Sequence, residues 1–170
     1  MMPTGSKLTP LVDIQSTPDD RDIPIDRVGV RNVKYPMHVR NRDNGSQQTV
    51  GTFTLTVDLP REFKGTHMSR FLEVLSEHNH DMGPETIRDV LRKLREKLNA
   101  ESSHLEVTFT LFREKAAPVT GKAGMMGYEC SFEAMSGPKN EFWLRLIVPV
   151  TTLCPCSKEI ADYGAHNQRG

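Results

Sequence analysis

The sequence predicts an α+β domain, an antiparallel sheet with a helix pair packed on one face. Three observations carry that expectation. Apolar and polar residues alternate at every second position in several separate segments, the period of a strand with one buried face. Between the second and third of these segments the apolar spacing lengthens to the helical period. Clusters of Gly, Pro, Asn, Asp and Ser separate the segments. The expected order is β-β-α-α-β-β-β.

Residues 1–26, rich in Pro, Asp, Ser and Thr, show no period. They are expected to form an extended or mobile N-terminal arm, either disordered or docked on a neighbour. Residues 27–150 carry the alternation and form the module. The first strand is "VGVRNVKYPMHVRN", its signal blurred by Pro36. Asn44-Gly45 then signals a hairpin. In the second strand Phe53, Leu55, Val57 and Leu59 alternate with Thr52, Thr54, Thr56 and Asp58.

Met68, Phe71, Leu72 and Leu75 mark a short helix, with Thr66 as its expected cap. "DMGP" ends it, and Pro84 suits the first turn of the next. Ile87, Val90, Leu91, Leu94 and Leu98 form that helix's apolar stripe. The charged residues Arg88, Arg92, Lys93, Arg95, Glu96 and Lys97 form its solvated face. Three strands follow. Leu105, Val107, Phe109 and Leu111 form the apolar row of the first. After the loop "REKAAPVTGKAG", Tyr128, Cys130, Phe132 and Ala134 form the second row. After "SGPKN", Phe142, Leu144, Leu146, Val148 and Val150 form the third.

A chain of 170 residues is one typical domain, or one and a fragment. It carries 22 Lys and Arg against 22 Asp and Glu, a balance that argues against coating a nucleic acid and leaves room for a local basic pocket. Its three cysteines, Cys130, Cys154 and Cys156, are an odd number, unlike a secreted disulfide scaffold. A reducing, cytoplasmic setting is expected. No run approaches the roughly 18 apolar residues of a membrane span, and the N-terminus lacks a signal-peptide core.

Cys130 falls in an apolar strand row, where a core role is the default. Cys154 and Cys156 differ, because "TTLCPCSKE" follows a strand end, a common place for grafted sites. His166 lies twelve residues beyond Cys154. Thiolate and imidazole are good zinc ligands, yet C-x-C with a later His names no third ligand. A metal site, a reactive thiol and inert residues all remain open at this point. His67 enters a helix N-terminus between Lys64 and Arg70. That arrangement suits an anion, or simply a capped helix start. His78 and His80 sit at a helix end, and His38 and His104 on strand surfaces.

Two long stretches, "DLPREFKGTHMSRF" and "TTLCPCSKEIADYGAHNQR", together resemble GTP cyclohydrolase I of the type IB family. The resemblance runs through nearly the whole chain after the arm. It implies a tunnelling fold, in which two helices sit between the second and third strands and subunits assemble into barrels. It implies opening of the GTP imidazole ring at C8, loss of formate and formation of 7,8-dihydroneopterin triphosphate, the first step of tetrahydrofolate synthesis. It also implies a divalent metal, zinc or manganese, and a homo-oligomer with active sites between subunits, with no nucleic acid or membrane partner. By the same resemblance Cys154 is a catalytic metal ligand, and His166 lies at the metal centre as ligand or proton carrier. Cys156 is a possible second thiol, and His67 lies near the substrate.

Chains of that family continue into a second module, which supplies a further carboxylate ligand and a glutamate for the guanine edge. Residues 151–170 are therefore expected to be a metal-site loop leading toward a module outside this sequence, and the sequence a fragment or a truncated product. Two alternatives accompany that reading. One is a non-catalytic assembly module; the other is a related tunnelling-fold enzyme with a cysteine nucleophile.

Overall fold

The computed structural model describes residues 14–18, 20, 23–40, 45–78, 81–117, 120–153, 155, 159 and 166–169. Strands β1 (Ile25–Arg40) and β2 (Ser46–Leu59) come first, then helices α1 (Met68–Ser76) and α2 (Pro84–Leu98). Strands β3 (Ser103–Ala116), β4 (Ala123–Ser136) and β5 (Glu141–Ile147) follow. These five strands form one antiparallel sheet in chain order. Both helices are inserted between β2 and β3, which are still neighbours in the sheet. Two short strands, β6 (Thr151–Leu153) and β7 (His166–Arg169), pair as a separate antiparallel ribbon.

Alternation decides which face is covered. On β2, Phe53, Leu55, Val57 and Leu59 are buried, as are Leu105, Val107 and Phe109 on β3. Cys130, Phe132 and Ala134 continue the layer on β4. Over it α2 lays Ile87, Val90, Leu91 and Leu94, and α1 lays Phe71, Val74 and Leu75. Each such side chain contributes about 1.5–3 kcal/mol relative to exposure. Phe132 sits between Phe109 and Phe142, with ring centroids 5.1 and 5.6 Å away. Ser103 Oγ, fully buried, donates to the Leu91 carbonyl at 2.8 Å, so this hydroxyl beneath α2 is satisfied.

The helix ends are set locally. Pro84 opens α2, and Asn99 closes it in the left-handed conformation at φ 52°, which asparagine tolerates better than most residues. Arg70 of α1 donates from Nη1 to the Lys97 carbonyl at 3.0 Å, placing a cation at the C-terminus of α2. Beside it, Glu77 accepts from Lys97 and Lys93 at 2.5 and 3.2 Å. The hydrogen bond from Lys97, then that from Lys93, holds its carboxyl below the usual value. The α1–α2 connection is tied to β1 by Met82 N donating to the His38 carbonyl at 2.9 Å and by the Arg40–Asp81 ion pair at 2.7 Å.

Several sequence expectations need correction. The N-cap of α1 is His67, in extended conformation and without a side-chain cap bond. Thr66 is instead the buried residue before it. Of the expected α1 stripe, Phe71 and Leu75 are buried, but Met68 and Leu72 are 40% and 43% exposed. Val74 takes up their share of the core. The loop expected over residues 113–124 is shorter, because β3 and β4 stay paired as far as Ala116 and Ala123. The first strand begins at Ile25, inside the span expected for the arm. The last apolar row is not core. Leu144, Leu146, Val148 and Val150 are 53% to 56% exposed, because β5 is an edge strand of the sheet and ends at Ile147, before Val148 and Val150. Phe142 alone of that row packs on the core.

The helix-free face is polar. Thr54, Glu106, Glu133 and Trp143 lie in one cross-strand row, and Thr56, His104, Met135 and Glu141 in the next. With Arg27 and Arg31 they line a depression of about 370 Å³. Near its β1 side, Gly29 lies opposite Thr56. A Cβ at Gly29 would run into the Leu55 carbonyl oxygen and come within 2.8 Å of Thr56 Cα. Backbone cannot yield as a side-chain tip does.

Gly29→Ala is therefore expected to cost about 1–3 kcal/mol, or more, in urea unfolding. Gly45→Ala, where an added Cβ meets nothing within 4 Å, should stay within about 0.5 kcal/mol. Equal effects at the two sites would contradict the close approach of β1 to β2. A second expectation concerns acid. Burial, reinforced by Arg27, holds His104 below its ordinary value of 6.5. The folded state thus binds this proton less readily than the unfolded chain. The stability it contributes is present above pH 6.5 and is lost as pH falls through the lower folded value. Burial depresses His78 with the same sign. Unfolding midpoints measured above and below pH 6.5 should show a smaller acid loss in His104→Gln; an unchanged loss would refute the contribution.

Candidate functional site

Two stretches carry the sequence-predicted site residues. The first is the loop that leaves β2 and enters α1. Phe63 N donates to the Pro60 carbonyl at 3.1 Å, making a turn just after the strand. Lys64 is exposed, and Thr66 is buried. His67 follows as a half-buried N-cap at φ −82° and ψ 109°. Its carbonyl accepts from Arg70 N at 3.2 Å as the helix begins. The structure directs the Arg70 Nη1 to the end of α2. Of the two bases expected to flank an anion at His67, one is thus engaged in helix packing.

The second stretch is the ribbon. Thr151 pairs with Arg169, Thr152 with Gln168 and Leu153 with His166. One step along β6 matches two along β7, which leaves Asn167 as the extra residue of a bulge. Bulges bend a strand and re-aim its side chains, and they are frequent beside sites. Cys154 and Cys156 lie outside the described residues. What the ribbon establishes is that the residue just before Cys154 in the chain faces His166 across an antiparallel pair. Strand β6, which precedes the expected thiol in the chain, thus runs beside β7, which begins with the expected imidazole, while His67 stands on a different element, at the start of α1.

Cys130 behaves as its strand position implies. It is 2% exposed, its Sγ donates to the Tyr128 carbonyl at 3.5 Å, and burial pushes its thiol pKa up. A thiol so placed is a poor nucleophile at neutral pH. Among the described residues no three His, Cys, Asp or Glu side chains come together as a metal-ligand set. His78 is a helix-end residue whose Nε2 lies 3.5 Å from Asp89 Oδ2. His104 is not a lone surface histidine, since it belongs to the depression on the helix-free face. The sequence signal for that depression was the polar row of each strand. Which residues of different strands would adjoin depended on register.

No helix among the described residues is long and apolar enough to cross a membrane. The family model for type I GTP cyclohydrolase folE2 matches residues 11–170, a span that includes both the His67 loop and the ribbon. Similar curated proteins include GTP cyclohydrolase FolE2 of Nitrosomonas eutropha, 47% identical over 162 residues, which cover 94% of this chain and 61% of that protein. The FolE2 of Fervidobacterium nodosum is 49% identical over 94% of this chain and 61% of its own length. That of Desulfosudis oleivorans is 51% identical over 93% and 62%. The chain therefore spans about three-fifths of the length of these relatives. Helices inserted between adjacent strands, the His67 loop and the ribbon all fall within the matched span, and the chain belongs to the type I GTP cyclohydrolase folE2 family.

Proposed function

We propose that the protein acts in the hydrolytic opening of the GTP imidazole ring, giving 7,8-dihydroneopterin triphosphate and formate, with Cys154 and His166 as ligands of a divalent metal, zinc or manganese. The observation that supports this reading best is the pairing of Leu153 with His166. It brings the imidazole-bearing strand alongside the residue that leads into Cys154. Thiolate and imidazole together suit zinc, so the residues present fit such a group. When bound, the metal would supply Lewis-acid polarisation of water and substrate.

The remaining work belongs to the chain's own side chains. Cys154 must be a thiolate to ligate, and its position after a strand end, unlike that of buried Cys130, does not require an apolar setting. His166 would hold the metal through one ring nitrogen or, in the alternative role, carry the proton that a ring nitrogen of GTP takes up as the C8–N bond opens. His67, half-buried at the start of α1, contributes to holding the substrate, with Lys64 exposed beside it for a phosphate. Cys156, two residues after Cys154 in the chain, is a possible second thiol without an assigned step. Assembly into a homo-oligomer is supported by the exposed apolar row of β5, whose outer edge has no strand partner in this sheet. The same reading places the protein in the cytoplasm, where such thiols remain reduced.

Zinc content and affinity of the purified protein test the ligand assignment. Cys154→Ala and His166→Ala are each expected to weaken binding roughly tenfold or more, while Cys130→Ala leaves it unchanged. Affinity untouched by both ligand variants would overturn the assignment. Turnover is checked on the full gene product, by oxidising any product of GTP to its fluorescent pterin. Signal should depend on metal and vanish in Cys154→Ala. Signal that survives metal removal would overturn the hydrolytic reading and favour a cysteine nucleophile.

A further inference from the structure

The N-terminal arm reaches the His67 loop through its backbone. Residues Ile14–Ser16 make a single 3-10 turn. It is closed by Thr17, whose N and Oγ1 both donate to the Ile14 carbonyl, at 3.3 and 2.5 Å. The chain then runs antiparallel to the loop, with Pro18 bridged to Phe63. Lys64 N donates to the Thr17 carbonyl at 3.3 Å, and Gly65 N donates to the Gln15 carbonyl at 3.2 Å. The Gln15 side chain lies over Gly65, at ordinary contact distance, 3.8 Å, from where a Cβ would stand.

We infer that Gln15–Pro18 is a positioning clasp that sets His67 for substrate binding. The two donors it captures lie three and two residues before His67. On the other side of His67 the helix begins, and between them Thr66 is buried. The backbone leading into His67 is thus held from the arm, from the core and from α1 at once. Without the arm, Lys64 and Gly65 would donate to water, and the loop would regain conformations in which His67 points elsewhere. The clasp acts through main-chain carbonyls on loop amides, so it needs no side chain that touches substrate. This inference rests on the reading of His67 as a substrate-binding residue and adds to it the element that orients it.

The experiment removes residues 1–18 from the full gene product, and with them the Gln15 and Thr17 carbonyls that accept from the loop. Amide hydrogen exchange should become roughly tenfold faster at Lys64 and Gly65, the effect expected from losing hydrogen bonds of ordinary strength, while the sheet stays protected. KM for GTP should rise severalfold with kcat and zinc content unchanged. Thr17→Ala, which loses only the hydroxyl bond that closes the turn, should shift both readings in the same direction by less, and Thr17→Ser should restore them. Unchanged exchange at Lys64 and Gly65 would overturn the clasp. Faster exchange with KM unaltered would overturn its positioning role. A parent protein that turns over no GTP would instead refute the proposed function, and the exchange measurement would still test the clasp.

Discussion

The register of the antiparallel sheet beneath α2 is the constraint on which the other features depend. Phe53 lies beside Val107 and Val107 beside Phe132, while Leu55, Leu105 and Ala134 form the next row. A slip of one residue in any pair would turn a whole apolar row to solvent and a polar row under the helices. Burial of Leu91 and Leu94 against these rows holds α2, and α1 is tied to α2 through Arg70 and Glu77. The place where α1 starts, and so the place of His67, follows from that packing.

The same register leaves one face open and makes β1 and β5 the two edge strands of the sheet. Among the described residues β5 pairs only with β4, and it exposes Leu144, Leu146 and Ile147. Exposed apolar rows on an edge strand are unusual in a protein that stays alone, which agrees with the proposed assembly. Beyond β5 the chain leaves the sheet and turns back as the β6–β7 ribbon. There a bulge at Asn167 sets His166 opposite Leu153. Function is thus proposed to reside in two connections, one leaving β2 and one leaving β5, each anchored by a rigid strand.

Much of the scaffold was legible because it rests on periodicity. The rows on β2, β3 and β4 and the α2 stripe are repeats in sequence, and burial followed them. The β5 row shows the limit of that signal. Alternation at Phe142, Leu144 and Leu146 separates two faces but does not reveal whether a face is covered, and here most of it is not. The cap of α1 was misplaced for a similar reason. Thr66 is a good capping residue by type, but the loop entering the helix buries it and leaves His67 as the cap. At the site, the motif residues Cys154, Cys156, His67 and His166 stand out through their resemblance to a family. The arm's hold on Lys64 and Gly65 does not, because backbone carbonyls leave no mark in a sequence.

The central claim is that the ribbon joins Cys154 and His166 in one metal site. X-ray absorption at the zinc edge of the zinc-loaded protein tests it most directly. The account predicts a sulfur scatterer at about 2.3 Å together with imidazole nitrogen at about 2.0–2.1 Å, with the sulfur absent in Cys154→Ala and the imidazole signal reduced in His166→Ala. A shell of oxygen and nitrogen alone, or a sulfur signal that survives Cys154→Ala, would contradict it.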